Sequence, residues 1–146
     1  MDINKSAILI KIASLEFEKI ANPILAEYDL TASQYRVLKF LYSQQTEISR
    51  VVDIENQCSI THPTALGLLD NLEKKGFISK IVNPEDARSK VISLTEKAKV
   101  MQSEVEGVGD RIDDILTENL SDKEKIQLIK LLQKLLKIES EGEQNV

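Results

Sequence analysis

A connection of only three residues, Cys58-Ser59-Ile60, constrains the fold most, because it separates two short helical patterns. The first pattern covers about residues 50–57, with Ser49 as its expected N-cap. The second begins after Thr61, and Gly76 lies where a left-handed residue commonly ends a helix. Two short helices joined by so tight a turn are typical of a helix-turn-helix.

The period of the apolar residues changes after these two helices. Residues 77–82 and 91–94 are strand-like, and a polar stretch separates them. The eight residues of that stretch, 83–90, exceed the two-residue connection of a tight hairpin, so the sequence predicts a two-stranded wing with a long polar loop. Arg88 and Lys90 lie in this loop, which is expected to be exposed.

Helices are also predicted on both sides of this central segment. They are residues 3–21, which end or kink at Asn22-Pro23; residues 32–43, with a capping box from Thr31 to Gln34; residues 96–118, capped by Thr95; and a last helix, with a capping box from Ser121 to Glu124. The predicted fold is therefore mainly α-helical with a small two-stranded β-wing. It is a winged helix-turn-helix that lies between helices at the two ends of the chain.

The second helix of the pair is the most informative candidate site. Thr61, His62 and Thr64 offer hydrogen-bond donors and acceptors at its N-terminal end, where a recognition helix contacts base edges in the major groove. Pro63 lies between them in the first turn, and Gly67 follows one turn later without a side chain, which would allow close approach to DNA. The alternative is an ordinary amphipathic helix in which Gly67 relieves a crowded helix crossing.

The polar loop of the wing is the second candidate site. Arg88 can enter a minor groove, where narrow A·T-rich stretches concentrate negative potential. Asp86 is expected to hold the Arg88 guanidinium in a bidentate pair, and Lys90 adds a cation nearby. The alternative is a solvated hairpin with a surface ion pair that contributes less than about 1 kcal/mol.

The helices at the two chain ends contain more aliphatic surface than a domain of this size buries alone. Leu and Ile account for 35 of the 146 residues. A symmetric homodimer would cover this surface, so residues 1–30 and 96–146 are predicted to be a helical dimerisation region and residues 31–95 the DNA-binding region. An intramolecular bundle is the alternative. The residues expected at the dimer interface are Ile8, Ile12, Ile129, Leu132 and Leu136.

The net charge of −5 would by itself argue against binding to nucleic acid. The distribution of charge along the chain changes this interpretation. Residues 48–95 contain six basic and six acidic side chains, and the acidic excess lies at the two ends. Because salt screens charges over about 8 Å, the charges near the binding surface matter more than the net charge of the chain. The local balance of basic and acidic side chains permits DNA binding, with weak non-specific affinity. The expected basic groups are Lys74-Lys75, Lys80, and Arg88 with Lys90.

Composition and motifs argue against several other classes of protein. One cysteine and one histidine cannot assemble a structural zinc site from His and Cys, and Cys58 is expected to be a small buried residue. No catalytic, phosphate-binding or dinucleotide-binding motif is present, so we expect no enzyme, cofactor or metal. No segment approaches the roughly 20 apolar residues of a membrane span, and no signal-peptide pattern occurs, so the expected compartment is the cytoplasm.

Several motifs of the chain resemble those of one family of regulators. They are Asp53-Ile54-Glu55; His62-Pro63-Thr64 with Gly67; Leu72-Glu73-Lys74-Lys75-Gly76-Phe77-Ile78; and Asp86-Ala87-Arg88-Ser89-Lys90 running into Leu94-Thr95-Glu96-Lys97-Ala98. Together with the order of elements, they make the chain resemble the MarR family of dimeric winged-helix transcriptional regulators.

The resemblance implies roles for the candidate residues. Residues 61–67 would read the major groove of double-stranded DNA, and Arg88, supported by Asp86, would read the minor groove. It further implies a homodimer that represses promoters. A small-molecule effector would enter a cleft between the dimerisation and winged-helix parts and release the DNA.

A second function stays open beside this one. The acidic net charge also fits a protein-interaction module on a winged-helix scaffold without DNA binding. So does Gly67, because many MarR relatives carry a basic or polar residue at about that position. Salt dependence separates the two functions, because a protein that contacts several phosphates loses DNA affinity steeply as salt is added.

Overall fold

The computed structural model describes residues 2–138, and within them six α-helices and three β-strands occur. In chain order they are α1 Ser6–Ala26, α2 Ala32–Ser43, β1 Ser49–Arg50, α3 Val51–Cys58, α4 His62–Lys74, β2 Ile78–Asn83, β3 Asp86–Leu94, α5 Glu96–Leu116 and α6 Asp122–Leu136. The prediction of a mainly helical fold with a winged helix-turn-helix is confirmed. The chain divides into two compact units, Met1–Ile112 and Asp113–Val146.

Local sequence signals determine where several helices begin and end. The Thr31 hydroxyl accepts a hydrogen bond from the backbone N–H of Gln34 at 3.2 Å, and the Gln34 side chain accepts one from the backbone of Thr31 at 3.1 Å. The same exchange joins Ser121 and Glu124 at the start of α6. Gly76 has a φ of +83°, as expected for the left-handed residue that follows α4. Both predicted capping boxes are therefore present.

Of the two outcomes predicted at Asn22-Pro23, an end or a kink of the helix, the end is wrong, because α1 continues through Pro23 to Ala26. A proline inside a helix removes one donor and crowds the preceding turn, at a cost of about 3 kcal/mol. Ile24 and Leu25 belong to the same turn, and both are buried in the core. Burial of each such side chain stabilises the fold by about 1.5–3 kcal/mol, which offsets the cost of the proline.

The wing is tighter than its prediction. Only Pro84-Glu85 separates β2 from β3, with Asn83 paired to Asp86, so the predicted eight-residue loop is wrong. The next pair joins Val82 to Lys90, so three residues of β3 bulge between the two pairs. This exposed polar stretch has no buried face. It therefore lacks the alternating pattern from which a strand is predicted.

A third strand that was not predicted completes the sheet in the order β1-β3-β2. Ser49 pairs with Ile92 and is buried, so it is not the N-cap of α3. That position belongs to Arg50, whose side chain makes no capping hydrogen bond. A strand of two residues is too short to show any period in the sequence.

The core of the first unit connects the helix-turn-helix to the wing. Its largest fully buried side chains include Leu25, Leu38, Ile54, Leu69, Leu72, Phe77, Ile78 and Ile92. Two buried or half-buried hydrogen bonds add to this packing. The Tyr42 hydroxyl donates to the carbonyl oxygen of Ala98 at 2.5 Å, and Arg36 Nη2 donates to the carbonyl oxygen of Cys58 at 2.6 Å. Both α4 and the hairpin are therefore fixed to one scaffold.

Candidate nucleic-acid interface

The N-terminal turn of α4 presents polar groups to solvent. Thr61 is its N-cap, and the Thr61 Oγ1 accepts from the backbone N–H of Thr64 at 3.4 Å and lies 3.0 Å from the Thr64 Oγ1. Pro63 stands in the first turn, where its missing N–H costs no helical hydrogen bond. All four residues of 61–64 are exposed. The turn therefore combines free hydrogen-bonding capacity with the positive end of a helix dipole.

His62 is held by a carboxylate from the preceding helix. Its Nδ1 lies 2.9 Å from Glu55 Oε2 on α3, so the contact spans the turn of the helix-turn-helix. The His62 side chain remains 61% exposed, whereas that of Glu55 is 20% exposed. This role of Glu55 was not predicted from the sequence. Seven residues separate the pair, and only the packing of α3 against α4 brings them together.

Gly67 leaves an open surface on α4. A Cβ atom built at Gly67 would have no neighbouring atom within 4 Å. The alternative in which Gly67 relieves a crowded helix crossing is therefore wrong within this chain. The buried face of α4 is formed by other residues, namely Ala65, Leu69 and Leu72.

The wing carries Arg88 on its bulge. The Arg88 side chain is 93% exposed. Its backbone N–H donates to Asp86 Oδ1 at 3.0 Å, and its Nε donates to the same oxygen at 3.3 Å. The predicted bidentate pair is wrong, because only one carboxylate oxygen of Asp86 contacts the guanidinium. Asp86 therefore shapes the backbone of the bulge as much as it orients the Arg88 side chain.

One groove brings part of α4 and part of the wing together. It encloses about 510 Å³ and is lined by His62 and Leu66 of α4 and by Asp86 and Lys90 of β3, among others. Residues that were predicted separately for the two candidate sites thus share one surface.

Arg50 lines the same groove and was not predicted from the sequence as a site residue. Its Nε and Nη2 donate to the two carboxylate oxygens of Asp53, each at 3.0 Å. The bidentate geometry expected at the wing therefore occurs at the start of α3. The spacing of three residues at a helix start is the signal that would have indicated this pair.

Most of the expected basic groups are already paired. Lys75 Nζ lies 3.7 Å from Asp29 Oδ1, and Lys80 forms an ion pair with Asp70. The hydrogen bond from Lys80 and its charge hold the pKa of Asp70 below its ordinary value. Within residues 2–138, Lys90 has no carboxylate oxygen within 4 Å. The expected basic groups thus leave few unpaired cations on this surface.

Cys58 is buried, as predicted. Burial raises the pKa of its thiol, and the charge of Arg36 opposes this only in part. A neutral, buried thiol is a poor nucleophile and a poor metal ligand. In the part of the chain that the structure describes, no three His, Cys, Asp or Glu side chains are grouped so as to hold a metal ion. None of the helices described is long and apolar enough to span a membrane.

The residues predicted for the dimer interface lie in both units. Ile8 and Ile12 are half-buried residues of α1, in the first unit. In the second unit, α6 buries none of its own residues, and Ile129, Leu132 and Leu136 are all exposed. An exposed aliphatic face of this extent is typical of an interaction surface.

Known proteins resemble both the sequence and the fold. The family model "Transcriptional regulator SarA/Rot" matches residues 19–105. The HTH-type transcriptional regulator FarR of Neisseria gonorrhoeae is 34% identical over 119 residues, which are 80% of this chain and 79% of FarR. Both descriptions are of transcriptional regulators, which are not enzymes.

Solved structures agree with this match. The reduced form of MarR from E. coli superposes with a TM-score of 0.79 at 26% identity, covering 93% of this chain and 99% of MarR. MepR of S. aureus, solved as a complex with DNA, superposes with a TM-score of 0.79 at 30% identity, covering 91% of this chain and 97% of MepR. The family predicted from the sequence is thereby confirmed. The chain belongs to the MarR family of winged helix-turn-helix transcriptional regulators.

Proposed function

We propose that this regulator binds double-stranded DNA sequence-specifically through α4 and the wing, and that it acts in the cytoplasm as a homodimeric repressor. The observation that carries the proposal is the shared surface of α4 and the wing. There, His62 and Lys90 line one groove, and the nearby Arg88 side chain is almost fully exposed. The DNA complex of MepR, a relative of similar fold, supports it.

In this arrangement α4 reads the major groove. Thr61, His62 and Thr64 contact base edges or phosphates, because their polar groups are exposed at the N-terminal end of the helix. Pro63 and Gly67 add no polar side chain, so they let the helix approach closely. The open space around Gly67 supports this role.

The wing follows the adjacent minor groove. Arg88 enters it, with Asp86 fixing the bulge from which the Arg88 side chain projects, and Lys90 contacts phosphate. Arg50 is a further phosphate contact, because it lines the same groove as Lys90. A guanidinium already held by a carboxylate loses little conformational freedom on binding, which favours a defined contact.

Homodimerisation through both chain ends completes the proposed repressor. The aliphatic face of α6 supports it, because exposed Leu and Ile side chains stabilise a partner contact by about 25 cal/mol per Å² of apolar area buried. Ile8 and Ile12 would contribute from α1. A dimer presents two copies of α4, which fixes the spacing of two DNA half-sites near one helical turn.

Release by a small-molecule effector is the regulatory part of the proposal. Within the first unit, a cavity of about 300 Å³ lies between α2, β3 and α5, with Gln44, Gln102 and Lys99 in its wall. Its size and polar wall suit a small polar molecule. The test is to add small polar compounds to the complex of the protein with DNA, and a compound that dissociates the complex supports the proposal.

The deciding experiment measures Arg88→Ala against the DNA upstream of the protein's own gene. We expect affinity to fall by about 5- to 150-fold, which corresponds to roughly 1–3 kcal/mol, with the dimer intact. Arg111→Ala is the matched control, because Arg111 also makes a single exposed ion pair, with Glu27 at 3.2 Å, but lies on α5. Unchanged affinity in a folded Arg88 variant would contradict the assignment of the wing.

A salt titration separates this function from protein interaction alone. A DNA-binding protein that contacts several phosphates loses affinity steeply between low and physiological salt. Preferential and salt-dependent binding to the upstream DNA supports the proposal. If no DNA complex forms even at low salt, the alternative of an interaction module on a winged-helix scaffold replaces it.

A further inference from the structure

The contact between His62 and Glu55 joins the two helices of the helix-turn-helix at its exposed side. The His62 Nδ1 lies 2.9 Å from Glu55 Oε2, and Glu55 is the more buried partner. Glu55 is therefore well placed to fix the orientation of the imidazole ring. In residues 2–138 the other ring nitrogen, Nε2, has no hydrogen-bond partner.

The chemistry of a carboxylate determines which ring nitrogen carries a hydrogen. An ionised carboxylate only accepts hydrogen bonds, so the His62 Nδ1 must donate. A neutral His62 then has its lone pair on Nε2, and Nε2 can only accept.

We propose that Glu55 is a positioning residue for DNA recognition, which holds the imidazole of His62 through Nδ1 so that Nε2 contacts the operator. The inference rests on the proposed function, because it concerns the same surface.

The other charged groups around His62 are consistent with this arrangement. Arg50, Asp86 and Lys90 line the groove that His62 also lines. Arg50 is bound to Asp53 through two hydrogen bonds, so its charge is largely compensated. Asp86 and Lys90 have opposite charges. Glu55 is thus the charged group that makes a direct hydrogen bond to the His62 ring.

The first test uses the free protein and does not need DNA. His62 is the only histidine of the chain, so its ring nitrogens give a single set of ¹⁵N signals. We expect the Nδ1–H tautomer in the neutral form of the wild type and its loss in Glu55→Ala. Glu85→Ala is the matched control, because Glu85 is an exposed carboxylate of the wing turn without a contact to His62. A wild type with the Nε2–H tautomer overturns the inference.

The second test measures affinity for a duplex that the wild type selects from a randomised pool. We expect Glu55→Ala and His62→Ala each to weaken binding by roughly tenfold, and the double variant to weaken it no further. The direction of the change in affinity is informative. A carboxylate that only repels phosphate should strengthen DNA binding when it is removed, and this is the result expected for Glu85→Ala. Stronger binding by Glu55→Ala overturns the inference.

A Glu55→Ala protein that binds the selected duplex as tightly as the wild type overturns this inference and leaves the proposed function intact. A pool that yields no bound duplex overturns both.

Discussion

Replacing Gly67 with alanine should stabilise the protein and weaken its binding to DNA. Gly67 lies inside α4, and a Cβ atom there meets no atom of the chain within 4 Å. The added methyl group therefore causes no overpacking. A glycine inside a helix costs about 1 kcal/mol relative to alanine, so the free energy of unfolding should rise by about that amount.

Urea denaturation measures the stability change. With a urea dependence of about 1–3 kcal/mol per M, the midpoint should rise by roughly 0.3–1 M at unchanged slope. Gly107→Ala is the matched control, because Gly107 lies inside α5 and a Cβ atom there also has no neighbour within 4 Å. Both variants should be stabilised alike when they are compared at equal protein concentration.

Only the Gly67 variant should bind DNA less well. If α4 lies against the major groove at Gly67, the methyl group disturbs a packed interface at a cost of about 1–3 kcal/mol, or about 5- to 150-fold in affinity. A Gly67→Ala protein that is more stable and binds the upstream DNA as tightly as the wild type would refute the proposed approach of α4 to DNA.

Two further predictions concern stability and assembly. Tyr42→Phe removes the hydrogen bond to the carbonyl oxygen of Ala98 and should lower the free energy of unfolding by about 1–2 kcal/mol at neutral pH, as measured in urea. Burial raises the pKa of Tyr42 to about 12 from its ordinary value of 10.0. The neutral hydroxyl therefore makes its full contribution to the free energy of unfolding below about pH 10, and this contribution is lost as the pH rises toward 12. Tyr42→Phe lacks the hydroxyl, so its free energy of unfolding should fall less than that of the wild type over the same interval. Deletion of residues 121–146 removes α6 and should give a monomeric or aggregating protein by light scattering, whereas a well-behaved truncated dimer would exclude α6 from the interface.

Features that depend on neighbouring residues were predictable from the sequence. Each capping box, at Thr31 and at Ser121, depends on side chains three residues apart. The left-handed conformation of Gly76 depends on one backbone angle. The same local reasoning failed at Pro23, where the burial of the next residues in the core outweighs the preference of the proline. A local signal is therefore reliable where packing does not oppose it.

The candidate surface was predictable in part for the same reason. The exposure of Thr61 and Thr64 follows from their place at the start of an amphipathic helix. The pairing of His62 with Glu55 depends on how two helices pack, and no spacing rule encodes that angle. The loop of the wing was predicted too long, because β3 already pairs with β2 at Asp86 and Lys90, whose side chains are polar and exposed.

The ion pairs around the helix-turn-helix bear on how such a regulator would search a chromosome. Arg50, Lys80 and Arg88 each already contact a carboxylate, so fewer counterions are released when the protein meets an arbitrary stretch of DNA. Non-specific DNA sites outnumber operators by many orders of magnitude, and they would then bind only a small share of the protein. A larger share of the molecules would stay unbound and available at any moment. A small number of copies per cell would suffice to keep an operator occupied.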